Sequence, residues 1–425
     1  MTNPELLQLL RSEVIPAIGC TEPIAVALCT ARAKELLGAE PDTITVHLSK
    51  NVYKNALAVG IPNTGMTGLP IAIALGATVG KSEYMLEVLR DATPEAVAYA
   101  KAYMLRVPAT IKVDYEAPSL LYIHVEVSKE GQTAQATIMD EHTHFVEPGT
   151  RNQEVSDISE IDTTANTLSL CRVYDFAASV DTTELTFLLA GAEMNTAAAE
   201  TSFADQYGHG LGRLLRANTL TATPEMEKLF GNTLFTKIIS YTCGACDARM
   251  SGAMVQVMSN SGSGNQGISC SIPVYLYAKE NNCTKEQTLR ALALSNLTVI
   301  YIKQSLGRLS ALCGCVVAAT GSAAGITYLM GGTYDEITYA IKNMIANISG
   351  MICDGAKPGC ALKVTSGVAT AIFSAYLAMQ HSYADSTEGI VEDDIDRTIR
   401  NLTRIGHDGM KVTDDLILDI MTHKQ

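Results

Sequence analysis

The sequence LSALCGCVVAATGSAAGITYLMGGTY, residues 309–334, contains no formally charged side chain. It is longer than the ~20 residues that a bilayer-spanning helix needs. However, Gly, Ser and Thr are interspersed along it, and it lacks the flanking cluster of Lys or Arg that is usual beside membrane helices. We therefore predict a buried helix or helix-loop-helix at the centre of a soluble domain, and no membrane association.

The sequence around this stretch indicates a mainly α-helical domain, which we place at residues 156–425. Strand signals nearly vanish within it, and Ala, Leu, Met and Gly dominate. Apolar residues such as Ile337, Ala340, Ile341 and Met344 recur at the three- and four-residue spacing of one helix face. The predicted domain is therefore built from helices that pack on helices.

Residues 41–155 favour a separate α+β lobe. Apolar and polar side chains alternate in three segments that predict antiparallel strands, at residues 44–48, 121–127 and 134–138. Residues 69–79 and 83–105 have helical patterns, and Pro148-Gly149 is the predicted end of the lobe. Strands and helices mixed in this way indicate an α+β arrangement.

Residues 1–40 predict two helices that pack on the larger domain. An apolar stripe carries the first helix to Gly19, and Thr21 can cap the second, which ends at Gly38. Cys20 then lies between the two helices. The predicted fold class is α+β, with a small antiparallel-sheet lobe and a larger, mainly α-helical domain.

The composition limits the classes of protein to which the chain can belong. Of 425 residues, 47% are hydrophobic and 18% are charged, which excludes a disordered or fibrous chain. A formal charge of −14 leaves no basic surface for a nucleic acid. The cysteine count of 11 is odd and the polar start resembles no secretory leader, so we expect reduced thiols in the cytoplasm.

Three cysteines have a spacing that suits a metal site. Cys353 and Cys360 bracket the turn-rich sequence CDGAKPGC (353–360), and Cys313 precedes them along the chain. Soft thiolates select zinc, copper(I) or iron-sulfur clusters, and a set of three suits a cluster that keeps one iron open. The alternative is that these cysteines are small buried hydrophobic residues.

The assignments of the neighbouring and upstream cysteines stay open. Cys315 is two residues from Cys313, so either could be the ligand. Cys243 and Cys246 have a spacing known from zinc and redox sites, but no matching second pair exists, and we favour packed thiols. Cys20 precedes a helix start, whose positive end would lower the thiol pKa and favour a base or nucleophile. A packed thiol is equally consistent with its position.

A polar loop is the best candidate for an anion-binding site. The sequence SNSGSGNQG (259–267) is rich in turn residues and has apolar flanks. Its backbone N–H groups, together with Ser261, Ser263 and Asn265, could bind a carboxylate or phosphate. It lacks the Gly-Lys-Ser or Gly-Lys-Thr ending of a P-loop. Arg249 could pair with a carboxylate, and the alternative for the loop is a plain surface turn.

Three more polar residues are candidates for substrate binding. Asn51 and Lys54 belong to the sequence NVYKN (51–55), and His209 lies between two glycines. Single residues of these types are more often surface groups or satisfied core groups. In an acidic chain the few cations near predicted loops are the first to consider for an anionic ligand.

Five motifs together resemble the L-cysteine desulfidase family, which is related to the α-chain of iron-sulfur L-serine dehydratases. They occur in order along most of the chain, and the serine-glycine loop and the cysteine spacing are the most specific. The motifs are GCTEP (19–23), NVYKN (51–55), MSNSGSGNQG (258–267), LSALCGC (309–315) and CDGAK (353–357).

The resemblance implies a carbon-sulfur lyase that converts L-cysteine to pyruvate, ammonia and hydrogen sulfide without pyridoxal phosphate. It implies one oxygen-sensitive 4Fe-4S cluster per subunit, held by Cys313, Cys353 and Cys360, with an open iron that binds the substrate sulfur. It also implies that Cys20 is the base for the α-proton. The larger domain would then be the catalytic domain, and we expect a homo-oligomer.

Two other functions stay open from the sequence. L-Serine dehydratase would use the same cluster with a hydroxyl in place of the substrate thiol. A non-catalytic metal-binding or redox-sensing protein would close a metal site with Cys243, Cys246 and the cysteines at 313–360. The first alternative differs in substrate preference, and the second in metal content and lack of turnover.

Overall fold

The computed structural model describes residues 1–147, 168–221, 223–307 and 309–424, and it has the predicted α+β fold class. A small sheet with helices on it forms the N-terminal part, and helices form nearly all of the rest. The predicted boundary at residues 155 and 156 lies outside the described residues. The division into residues 1–40, 41–155 and 156–425 therefore stays a prediction.

The N-terminal part contains most of the described strands, together with five of the described helices and a 3₁₀ turn at Ser82–Glu87. Its helices and strands, in chain order, are α1 (Asn3–Glu13), β1 (Pro16–Ile18), α2 (Thr21–Leu37), β2 (Thr43–Ser49), α3 (Lys50–Ala56), α4 (Leu69–Thr78), α5 (Pro94–Arg106), β3 (Thr110–Asp114), β4 (Tyr122–Lys129), β5 (Gln132–Met139) and β6 (Phe145–Val146).

The larger part is mainly helical, with one further strand, a 3₁₀ turn at Thr182–Leu185 and a π turn at Ile405–Gly409. Its helices and strand are α6 (Leu170–Ser179), α7 (Thr186–Ala204), α8 (Leu211–Thr221), α9 (Pro224–Phe230), α10 (Leu234–Met250), β7 (Gln256–Met258), α11 (Gly264–Glu280), α12 (Lys285–Leu306), α13 (Gly314–Leu329), α14 (Tyr334–Ile348), α15 (Cys360–Ala378), α16 (Ile395–Arg404) and α17 (Lys411–Thr422).

Five strands form one sheet in the order β3-β2-β4-β5-β6. The β2-β4, β4-β5 and β5-β6 pairs are antiparallel, and the three strands predicted from alternation are present. The sequence did not predict β3, which runs parallel to β2. It lies at the sheet edge with none of its residues buried, and only two apolar residues, Ile111 and Val113, alternate with polar ones, against three or more in each predicted strand.

The helix α2 lies between this sheet and α4, and it positions the first residues of the site. Of its 17 residues, 12 are buried, because α4, β4 and β5 enclose it. A helix that is enclosed on most sides needs small, apolar side chains along most of its length. It ends at Gly38, as predicted, and Cys20 is its N-cap residue.

The first helix is shorter than predicted. It ends at Glu13 instead of Gly19, because Pro16 has no N–H group and disfavours a helical conformation in the residue before it. The segment after it forms β1, which pairs antiparallel with β7. Cys20 therefore lies between a strand and a helix, not between two helices.

The helix predicted at residues 83–105 is interrupted. The 3₁₀ turn Ser82–Glu87 comes first, and α5 begins only at Pro94. Thr93 caps α5 by accepting a hydrogen bond from the backbone N–H of Ala96, and proline suits the first helical position. This Thr-Pro pair is a helix-start signal that outweighs the apolar periodicity on either side of it.

The uncharged stretch at residues 309–334 contains α13, the central helix of the larger part. Every residue from Cys315 to Thr327 is buried, and α11, α12, α14 and α15 pack around the helix. Small side chains such as those of Gly, Ala and Ser allow this close approach from several sides. The stretch is thus a buried helix, as predicted, preceded by an irregular segment that carries Cys313.

One described helix, α15, is long and apolar enough by length and composition to cross a membrane, a test that core helices also pass. One of its faces packs on α13 and α14. The opposite face exposes Leu362, Phe373, Tyr376 and Leu377. The homo-oligomer and the cytoplasmic location stay predictions.

Candidate active site

One cavity brings together residues from both parts of the chain. It has a volume of ≈ 90 Å³. The residues that line it are Cys20, Thr21, Glu22, Asn55, Arg249, Ser263, Asn265, Gln266, Cys313, Gly314, Cys315, Cys353, Gly355, Ala356 and Cys360. Of the substrate-binding candidates predicted from the sequence, the cavity lining lacks Ser261, Lys54, Asn51 and His209.

Four helices begin at this cavity. Cys20, Ser263 and Cys313 are the N-cap residues of α2, α11 and α13, and Cys360 is the first residue of α15. A helix N-terminus carries a partial positive charge of about half a unit, together with backbone N–H groups that lack helical partners. The backbone therefore makes the cavity favourable for thiolates and for an anionic ligand.

Backbone hydrogen bonds fix the segments that carry two of the candidate ligands. The Cys313 N–H donates to the carbonyl of Met351 (2.9 Å), and the Cys353 N–H donates to the carbonyl of Ala311 (2.7 Å). Between these bonds, Leu312 and Ile352 form an antiparallel bridge. The 40-residue separation in sequence is thus closed by a short β-like contact that holds Cys313 beside Cys353.

The thiols of Cys313, Cys353 and Cys360 influence one another electrostatically. Burial raises the pKa of Cys353, and the charge of Cys313 raises it further, whereas Lys54 lowers it. Burial also raises the pKa of Cys360 to about 11, and Cys353 and Cys313 add to this effect. Three neighbouring thiolates repel one another, so the set is stable in the ionised form only with a cationic group among them.

The donor set fits a group that is larger than a single ion. Within the described residues, no three His, Cys, Asp or Glu side chains converge closely enough to hold one metal ion. Cys313, Cys353 and Cys360 nevertheless line one cavity. Three soft thiolates spread around a common space suit an iron-sulfur cluster better than a closed zinc site.

Cys315 is a partner of Cys313 at the start of α13. The Cys315 thiol hydrogen-bonds to Cys313, which lowers the pKa of Cys313 and raises that of Cys315. Both side chains are buried and line the cavity. Cys313 is therefore the thiol of the two that ionises more readily and the better candidate for a thiolate ligand, with Cys315 as its hydrogen-bond donor.

Lysine side chains support the loop that carries Cys353. Asp354 forms ion pairs with Lys357 (2.5 Å) and with Lys363. The Lys363 ammonium also donates to the carbonyl of Ile352 (2.8 Å). Burial would raise the pKa of Asp354, but hydrogen bonds from the two lysines outweigh it and lower the pKa to about 2.

Cys20 has a different protonation preference from the one that the sequence suggested. Burial raises its pKa well above the usual value, and the Glu22 carboxylate raises it further, although Arg249 lowers it. The thiol donates a hydrogen bond to Glu22 Oε2 (3.2 Å). The helix N-terminus favours a thiolate, but burial and the adjacent carboxylate are stronger.

Glu22 is a site residue that the sequence analysis missed. Its side chain lines the cavity and accepts hydrogen bonds from Asn55 Nδ2 (3.1 Å) and from the Thr21 hydroxyl (3.1 Å). Burial would raise its pKa, but His142, the Cys20 thiol and Arg249 lower it, so that the carboxyl is held ionised. The signal that could have identified it was an acidic residue just before the apolar run at residues 23–29, where it is the one charged residue among the buried residues of α2.

Arg249 is the fully buried cation of the cavity. Its Nη1 donates to Asn265 Oδ1 (3.0 Å), whereas Nε and Nη2 have no hydrogen-bond partner in the described part of the chain. A Cβ atom at Gly264 would come within 2.3 Å of Arg249 Nε, so only glycine leaves room for this guanidinium. The serine-glycine sequence thus makes space for a buried arginine with two free N–H directions.

The serine-glycine segment is shorter as a loop than predicted. The prediction covers residues 259–267, but α11 begins at Gly264, because Ser263 turns the chain into the helix. Ser263 and Asn265 line the cavity. The Ser261 hydroxyl instead donates to Asn260 Oδ1 (2.9 Å), which removes it from the cavity lining.

Lys54 and Asn51 lie outside the cavity lining and contact the C-terminal helix. Lys54 is buried and forms an ion pair with Asp414, and Asn51 Nδ2 donates to the same carboxylate (2.5 Å). The Lys54 backbone carbonyl would be 2.5 Å from a Cβ at Gly355, whose φ of +85° also favours glycine. These residues therefore support the loop at residues 353–360, here called the cysteine loop, from the side away from the cavity.

Cys243 and Cys246 are buried on α10. The Cys243 thiol donates to Asp247 Oδ2 (3.8 Å), and burial raises the pKa of both thiols. Burial also raises the pKa of Asp247 to about 6. The pair is thus surrounded by groups that favour protonated forms, which agrees with packed thiols.

Comparisons with known proteins agree with this arrangement. The family described as "Serine dehydratase alpha chain" matches residues 83–419. A UPF0597 protein of Phocaeicola vulgatus is 56% identical, over 99% of this chain and 98% of its own length. A UPF0597 protein of Oleidesulfovibrio alaskensis is 42% identical over the full length of both chains. The chain therefore belongs to the serine dehydratase alpha chain family, which points to a lyase-type enzyme.

Proposed function

We propose that the protein is an L-cysteine desulfidase, which eliminates hydrogen sulfide from L-cysteine and yields pyruvate and ammonia without pyridoxal phosphate. One observation carries the proposal: a single cavity is lined by Cys313, Cys353, Cys360, Arg249 and Cys20. This set combines ligands for a soft metal group, a cation for a carboxylate and a group that can exchange a proton.

Cys313, Cys353 and Cys360 would hold one 4Fe-4S cluster. When bound, the cluster would supply a Lewis acid that neutralises the leaving group at the β-carbon of the substrate. The side chains of the protein have three remaining tasks. They bind the carboxylate, they hold Cα against a base, and they keep the space small enough to exclude most water.

Arg249 is the proposed carboxylate-binding residue. Its unpartnered Nε and Nη2 can donate two parallel hydrogen bonds, which is the geometry that a carboxylate accepts. Asn265 Oδ1 accepts a hydrogen bond from the third nitrogen, Nη1, and so fixes the guanidinium. The N-terminus of α11 adds backbone N–H donors. A carboxylate fixed in this way limits the orientations of Cα within the cavity.

Cys20 is the proposed base for the α-proton. As a thiol it is bonded to Glu22, so it would first lose its own proton to solvent and then, as the thiolate, take the α-proton from the substrate. The Arg249 charge and the N-terminus of α2 favour the thiolate. The aminoacrylate left by elimination needs no further residue, since it tautomerises and hydrolyses in water.

A direct assay tests this proposal. Protein purified without oxygen is supplied with L-cysteine, and sulfide and pyruvate are measured together with iron content. We expect both products in equal amounts and about four irons per chain. Absence of turnover on both L-cysteine and L-serine, or one tightly bound zinc without iron, would support a non-catalytic metal protein instead.

L-Serine dehydratase is the second candidate, because the matching family is described by that activity. Serine and cysteine share a skeleton, so the same residues would bind both. The two are separated by comparing kcat/KM for L-cysteine and L-serine on one preparation. Equal or greater efficiency on L-serine would overturn the desulfidase proposal and leave the elimination chemistry intact.

A further inference from the structure

We propose that Glu22 and Asn55 form a binding site for the α-ammonium group of an amino acid whose carboxylate lies on Arg249. This inference rests on the proposed function, and it adds the residues that distinguish an amino acid from other small carboxylic acids. The one cavity then recognises both charges of a zwitterion.

The first argument is that the Glu22 charge is incompletely neutralised. Its short hydrogen bonds come from neutral groups, namely the thiol of Cys20, the hydroxyl of Thr21 and the amide of Asn55. His142 Nε2 is 4.0 Å from Oε1, which is too long for a hydrogen bond. His142 and Arg249 therefore stabilise the Glu22 charge without a direct hydrogen bond to it. A buried carboxylate is best compensated by a cation in direct contact, which a ligand ammonium would supply.

The second argument comes from buried polar atoms that lack partners in the described part of the chain. Two of these atoms are acceptors on cavity-lining amides, Asn55 Oδ1 and Gln266 Oε1. Two are donors, Nε and Nη2 of Arg249. Buried polar groups are almost always satisfied, so a ligand with both donors and acceptors is expected here.

The inventory of these atoms matches an α-amino acid. An ammonium has three N–H donors, which Glu22, Asn55 and Gln266 can accept. A carboxylate has two oxygens, which the free N–H groups of Arg249 can bind. Glu22 and Arg249 are both almost fully buried, so each charge would act in a medium of low dielectric constant. A molecule with only one of the two charges would leave the other protein charge unpaired.

The test measures binding of three non-reacting compounds to the cluster-loaded protein by anaerobic calorimetry. L-Alanine has both charges, propionate lacks the ammonium and ethylamine lacks the carboxylate. We expect L-alanine to bind at least about tenfold more tightly than either of the others, because each lost charge pair costs at least that factor. The variant Glu22→Gln should lose this preference over propionate, while its affinity for propionate stays the same or increases.

Two variants separate charge from shape. Glu22→Asp keeps the charge and should retain part of the preference for L-alanine. Asn55→Ala keeps Glu22 and should weaken L-alanine binding by a few-fold without affecting propionate. Glu200→Gln, on an exposed carboxylate that accepts from the Tyr241 hydroxyl outside the cavity, is the matched control and should change nothing. If Glu22→Gln does not fold, binding to Glu22→Asp and to Asn55→Ala tests the ammonium site.

The inference is overturned if Glu22→Gln weakens L-alanine and propionate equally, or if it leaves both unchanged. Its failure is distinct from failure of the proposed function. If the protein prefers L-alanine through Glu22 but turns over neither L-cysteine nor L-serine, the ammonium site stands and the proposed lyase function fails. If it turns over L-cysteine but shows no such preference, the lyase function stands and the ammonium site fails.

Discussion

The cavity has two walls that differ in origin and in chemistry. Cys313, Cys353 and Cys360 form the thiol wall, which comes from the segments that lead into α13 and α15 and from the first residue of α15. Cys20, Glu22, Asn55, Arg249, Ser263, Asn265 and Gln266 form the polar wall, which comes from α2, α3, α10 and α11. The thiol wall is soft and lacks carboxylates, whereas the polar wall carries one buried charge of each sign. The difference indicates that metal binding and substrate binding can be removed separately.

The largest effect is expected from the thiol wall. Cys353→Ser replaces a soft ligand with a hydroxyl, so iron content should fall severalfold and turnover by more than about 1,000-fold, the scale for loss of an essential group. Iron analysis and sulfide release on one anaerobic preparation measure both. Cys171→Ser is the control, because this exposed thiol lies outside the cavity. Normal iron content in Cys353→Ser would contradict the division into two walls.

On the polar wall, the largest effect is expected at Cys20. Cys20→Ala should lower kcat by about 100- to 10,000-fold, the usual contribution of a positioned acid or base, and leave iron content and KM nearly unchanged. Cys29→Ala is a matched control on the same helix, since that buried thiol faces the sheet and donates to the carbonyl of Ala136 (3.2 Å). Loss of iron in Cys20→Ala would mean that Cys20 belongs to the thiol wall.

A smaller effect is expected at Arg249. Arg249→Lys keeps the charge but loses the planar pair of donors, so kcat/KM should fall by roughly 10- to 100-fold with normal iron content. Steady-state kinetics on L-cysteine provide the measurement. The control is Arg290→Lys, at an arginine that pairs with Glu286 (2.9 Å) away from the cavity. Unchanged kinetics in Arg249→Lys would exclude it as the carboxylate-binding residue.

The smallest effect is expected behind the thiol wall, at Asp354. Its ion pairs with Lys357 and Lys363 are partly exposed, so Asp354→Asn should lower the free energy of unfolding by at most about 1 kcal/mol. Because the folded pKa of about 2 is below the unfolded value of 3.8, the contribution is present above pH 3.8 and is lost as the pH falls through 2. Denaturant unfolding at pH 7 and at successively lower pH measures the difference. If the difference in the free energy of unfolding between wild type and Asp354→Asn grew toward acid pH, this prediction would be contradicted.

The fold could be predicted where local sequence and tertiary environment agree. The α13 helix and three of the sheet strands follow from apolar periodicity, because burial and pattern coincide there. The strand β3 was not predicted, since it is an edge strand with no buried residue and only two alternating apolar residues, Ile111 and Val113. The first helix was extended too far because the apolar stripe continues past Pro16 into a strand.

Most of the residues that line the site could be predicted from the sequence, but their charges and protonation states could be predicted only in part. The sequence motifs pointed to most of the cavity lining. They could not show that Lys54 is neutralised by Asp414, which is 360 residues away. They also could not show that Glu22 opposes ionisation of Cys20, because the sign of a pKa shift depends on burial and on the orientation of neighbouring charges.

The buried contact of Asp414 with Lys54 and Asn51 has a consequence for biosynthesis. The carboxylate lies on α17, the last helix of the described chain, and it anchors the segment that supports Gly355 in the cysteine loop. During translation, all of the cysteines leave the ribosome before this anchor does. We therefore expect the thiols to reach their final arrangement only after α17 has been synthesised, and a metal group held by them would be bound after that point.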